Sequence, residues 1–238
     1  MSENQFDGLS DNEWDETWEF AWSEFDWERH LRDQDGAVQA YLLHYDRLLE
    51  RPDRIDEVAH VLGWDQDGWT SDDPDASEET RPVGGPLDGA LEFESEGKAP
   101  LDPYTIQKHP VYVSTHGLFF WLSRAWEFIA PACGSKLPLR TALSFSSALA
   151  SAEHNGVLAV HSLDMGDFSL SVCLLKRALA DLNSAIRQLQ SLEGNNHPAL
   201  VQFHRQGLIR IFDIREIWLR VMRDCRAELN RRVGEGEN

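Results

Sequence analysis

Apolar residues between 165 and 233 recur with the spacing of two long helices joined by a short turn. Phe168, Val172, Leu175, Leu179, Leu182, Ile186 and Leu189 stand 4, 3, 4, 3, 4 and 3 residues apart, one face of a helix. Leu174, Ala178 and Ala185 widen that stripe to a core-facing width. Asp164 is the expected N-cap, with Asp167 in the first turn, and Gly194 the expected stop. Pro198 follows Asn196 and His197 as a first helical residue should. The last helix is expected over Pro198 to Arg232, with a stripe of Val201, His204, Leu208, Ile211, Arg215, Trp218, Met222, Cys225 and Leu229. Phe203, Phe212, Ile214, Ile217 and Val221 thicken it. His204 and Arg215 are its two polar members, placed at the edge of the apolar face or in a polar pocket.

The same reading continues upstream. Ser114 or Thr115 is expected to cap a helix carrying Leu118, Phe119, Trp121, Leu122, Trp126, Phe128 and Ile129, ended by Pro131 and Gly134. Pro138 opens another, rich in Ala and Ser, which either stops at Asn155-Gly156 or runs on to Leu163. Four such helices with short connections predict an all-α fold, an antiparallel four-helix bundle over about 114–233.

The N-terminal part predicts two or three further helices. Ser10-Asp11-Asn12-Glu13 fits a capping box, and Trp14, Trp18, Trp22 and Phe25 follow at 4, 4 and 3. Acidic residues stand between them, so this is an acidic amphipathic helix with an aromatic face. Each Trp can bury about 150–250 Å², so the face is expected to dock, either on the protein's own bundle or in a partner's groove. Asp33-Gln34-Asp35-Gly36 reads as a break before a helix over 37–50, and Pro52 starts a short one ending at Gly63. Residues 65–103, rich in Gly, Pro and acids, read as a disordered surface linker. The chain thus divides into a Trp-rich segment (1–64), the linker (65–103) and the bundle (104–233).

Charge sharpens this division. Of the net charge of −19, residues 1–100 hold 28 Asp and Glu against 7 Lys and Arg. Such a segment repels nucleic acid and anionic membranes, and suits a basic protein partner, by nucleic-acid mimicry among other means. The many arginines after residue 204 are expected to meet the protein's own acidic part. Cys133, Cys173 and Cys225 form no C-x-x-C pair and read as reduced thiols of a cytosolic protein. No signal-peptide core and no apolar run of about 18 residues is present.

Candidate chemistry is sparse. One Glu-x-x-His pair, Glu57 to His60, falls short of the two that a di-iron bundle needs. Asp65-x-Asp67-Gly68 has its glycine at the wrong position for a calcium loop. There is no phosphate loop and no nucleophile elbow. His154 and His161 lie seven apart, and His116 and Glu127 could approach them from a neighbouring helix as a metal or polar-ligand pocket. The leading expectation is a non-enzymatic interaction or regulatory protein acting through Trp14, Trp18, Trp22 and Phe25, with a protein partner and no cofactor. A homodimer through the last helix is compatible with the pattern. The second expectation is a ligand- or metal-binding bundle using His116, Glu127, His154, His161, His204 and Arg215.

Overall fold

The computed structural model describes residues 22–64, 105–194 and 197–236. All six α-helices there bear out the all-α expectation: α1 (Glu24–Arg47), α2 (Arg54–Val61), α3 (Pro110–Cys133), α4 (Leu139–Asp164), α5 (Phe168–Gln190) and α6 (Pro198–Gly236). No described helix is long and apolar enough to cross a membrane. The linker expected over 65–103 and the Ser10 capping box lie outside the described residues.

Three helix boundaries differ from the expectations. α1 runs without a break through Asp33–Gly36. Its stripe of Leu31, Gln34, Val38, Tyr41 and Tyr45 stays in phase across the glycine, and one mid-helix Gly costs only about 1 kcal/mol. The cap is Ser23: its Oγ accepts from the Asp26 amide at 3.2 Å, and the Asp26 carboxylate accepts from the Ser23 amide at 3.0 Å. α3 starts at Pro110, capped by His109, whereas Ser114 and Thr115 lie inside it and donate back to the Val111 carbonyl. α5 is capped by Asp167, which accepts from the Leu170 amide at 3.0 Å, rather than by Asp164, the last residue of α4.

α4 passes through Asn155-Gly156 because Gly156 is where Trp218 of α6 packs against it. α3 contacts α4 and α6, and α5 contacts both as well, so the four helices close a ring. His116 meets Glu153 while Trp126 meets Phe145, so α3 and α4 run in opposite directions. The core between them holds Leu118, Leu122, Phe145, Leu149, Leu182, Phe203 and Trp218, all 2% exposed or less.

α1 lies outside the ring on α3, running in the same direction. His30 meets Thr105, and Tyr41 and Leu42 cover Gly117 further on. A Cβ on Gly117 would stand 3.1 Å from Tyr41 Cδ1, so the glycine lets the two helices approach. α6 spans about 58 Å at 1.5 Å per residue. It buries Leu200, Phe203, Ile211, Ile214, Trp218, Met222 and Cys225.

Candidate functional site

Among the described residues, the apolar stripe of α1 is covered over only part of its length. Tyr41 and Tyr45 are 1% and 0% exposed, and Val38 and Leu42 pack against the core. Two and three turns from Val38 towards the N-terminus, on the same stripe, Leu31 is 48% and Trp27 42% exposed. The ring of Trp27 contacts Trp22 and His30, with centroids 5.1 and 6.0 Å away, and Trp22 meets His30 edge-on at 5.4 Å. His30 is buried, its Nε2 3.2 Å from the Thr105 hydroxyl. Phe25 lies off the stripe, 66% exposed, with the Arg29 guanidinium 4.9 Å from its ring centre. Around these rings stand Glu24, Glu28, Asp33 and Asp35, all exposed. Trp14 and Trp18 lie outside the described residues. Trp22 and Phe25 are thus half-buried and exposed at the start of α1, beside Trp27, which the 4-4-3 spacing did not include.

A second cluster binds α1 and α2 to α6. Arg54 grips Asp213 with both ends of its guanidinium, Nε and Nη2 each 2.6 Å from a carboxylate oxygen. The Tyr45 hydroxyl donates to the same carboxylate. Burial, and then the Asp213 charge, push the Tyr45 phenol well above its usual range. Arg210, 1% exposed, donates to Asp46 and to the Gln206 carbonyl, and lies 3.6 Å over the Trp121 ring. Burial pulls its pKa down, against the pull of Asp46. Nearer the surface, Arg220 pairs with Asp56 and Arg205 with Glu50. The arginines of α6 therefore do meet the acidic N-terminal helices.

Arg210 and Asp213 are the polar residues that α6 buries. The signal for Arg210 was present in the spacing Phe203, Gly207, Arg210, Ile214, Ile217. Arg215 is exposed. His204 is half-buried, its Nε2 3.6 Å from Glu193.

The other residues of the anticipated pocket are spread apart. His116 stacks on Tyr112 and contacts Glu153 at 2.8 Å. Glu127 pairs with Arg124 at the surface, and His154 and His161 are exposed. Among the described residues no three His, Cys, Asp or Glu side chains gather as metal ligands. The Cys133 sulfur lies 3.6 Å from His197 Nδ1, but burial raises its pKa and so disfavours a reactive thiolate. No family model, curated protein or solved structure matches this chain.

Proposed function

We propose that this protein is a cytosolic interaction protein whose docking element is the first two turns of α1. The observation that supports it is the uncovered stripe: Trp27 and Leu31 continue the line of Tyr41 and Tyr45 past the point where α3 covers it. A Trp held nearly half exposed on an ordered helix is an anchor for a partner's apolar groove. The acids on the flanks call for a groove with a basic rim. Between residues 24 and 35 five Asp and Glu face two Arg, of which Arg32 pairs with Glu28. The free thiols Cys133, Cys173 and Cys225 suit a reducing compartment.

The test is a photo-crosslinking residue at Leu31, with the same residue at Arg47, exposed at the far end of α1, as the reference. A discrete adduct from Leu31 alone, weakened by raised salt and absent when Trp27→Ser is added, is the expected result. Equal adducts from both positions, or an adduct indifferent to Trp27→Ser, would refute the assignment.

A further inference from the structure

α4 turns a face outward that carries almost no charge. Helical phase puts Leu139, Leu143, Ser147, Ala150 and His154 along one line, and all five are exposed, Leu139 at 73% and Leu143 at 61%. An outward helix face ordinarily holds charge: α1 has nine Asp, Glu and Arg in its 24 residues, α4 three in 26. Two grooves flank the line. One is mostly apolar, lined by Ala130, Pro131 and Leu137 together with the two leucines, with Glu127 as its one charged lining residue. The other, between α4 and α5, is lined by Ser144, Ser147, Ser151, Ser184 and Asp181.

We propose that a second copy of this chain docks here, its α4 antiparallel to the first about a two-fold axis near Ser146–Ser147. Such a contact presents the same patch twice, so whatever lies before the axis must complement what lies after it. It does so here at two places, one in shape and one in charge. The axis sets Leu143 of each copy on Ala150 of the other, a large side chain against a small one, and the small residues at the centre let the helices approach closely. The same rotation carries Arg140, exposed and set by helical phase on the same side of α4 as Ser144 and Ser151, over Ser151 and towards Asp181 of the second copy. Two opposite-charge pairs therefore form, related by symmetry. In a chain with a net charge of −19, two copies repel on most approaches, and this face exempts itself.

Sedimentation equilibrium of the full chain tests this. The expected result is a species of twice 27.1 kDa at protein concentrations of about 10–100 μM. Leu143→Glu should weaken association by about 100-fold or more, because it places a charge at the centre of the contact, with helical circular dichroism unchanged. Ser147→Arg, also exposed, should do the same by bulk. Arg140→Asp should weaken it by about 10-fold, and Arg140→Asp combined with Asp181→Arg should restore it. A chain that stays monomeric at about 100 μM overturns the proposal. So does a dimer that survives both Leu143→Glu and Ser147→Arg, which would mean that another face, such as that of α6, is used.

Discussion

A Cβ placed on Gly156 of α4 would stand 2.6 Å from Cζ2 of Trp218, the largest fully buried side chain of α6. No methyl group fits there without displacing the indole, which is held in turn by Phe119 at a centroid distance of 5.7 Å. Gly156→Ala should therefore destabilise the fold by about 1–3 kcal/mol, although alanine is the better helix former by about 1 kcal/mol. Gly207 makes the contrast. A Cβ there would meet Leu122, Leu189 and Phe203 at 3.5–3.6 Å, ordinary contact distances. Gly207→Ala should be neutral or stabilising by up to about 1 kcal/mol. Urea denaturation of the two variants measures both.

The Arg54–Asp213 pair ties an N-terminal helix to the bundle. Its side chains are 16% and 7% exposed, so removing one partner leaves a desolvated charge. Arg54→Met should cost about 3–5 kcal/mol, and Asp213→Leu a similar amount, since it also removes the acceptor of Tyr45. Arg54→Met combined with Asp213→Leu should cost less than the sum of the two single changes. Additive losses in the denaturation cycle would show that the two side chains do not act as a pair.

His109 makes stability depend on pH. Its Nδ1 accepts the Val111 amide at 3.2 Å as the cap of α3, which requires a neutral ring. Burial lowers its pKa below 6.5, against a smaller upward pull from Asp164. A histidine with a depressed folded pKa is charged more readily in the unfolded chain. Its contribution is thus fully present above about pH 6.5 and lost as pH falls from there through the folded value. His109→Asn keeps a capping acceptor and cannot titrate. The melting temperatures of the two proteins should run parallel above pH 7 and diverge below pH 6.5, the native chain falling further. Parallel curves down to pH 5 would contradict this.

How much of this was legible depended on how many neighbours an element has. α5 is packed along one side, and its stripe of Val172, Leu175, Leu182, Ile186 and Leu189 is buried as its spacing predicted. α6 is packed by α3 and α5 and also meets α1 and α2 through Arg210 and Asp213. Its buried arc is therefore wide, and the phase through His204 and Arg215 fits the sequence as well as the phase through Arg210. Nothing local marks Asp213 as buried, because its partners Tyr45 and Arg54 lie about 160 residues away in the chain. The break assigned to Gly36 and the late start assigned to α3 have the opposite cause. There local punctuation signals a boundary while the hydrophobic phase continues unbroken, through Val38 in α1 and from Val111 and Val113 in α3.

In the proposed function, Trp27 and Leu31 are left free for a partner. The stability of Trp27→Ser combined with Leu31→Ser, measured by urea denaturation beside the native chain, tests it most directly. Side chains that are uncovered in the folded protein lose little when truncated, so the pair should cost no more than about 1 kcal/mol. A loss of about 3 kcal/mol or more would mean that the chain's own residues cover this stripe, and would contradict the assignment of α1 as a docking element.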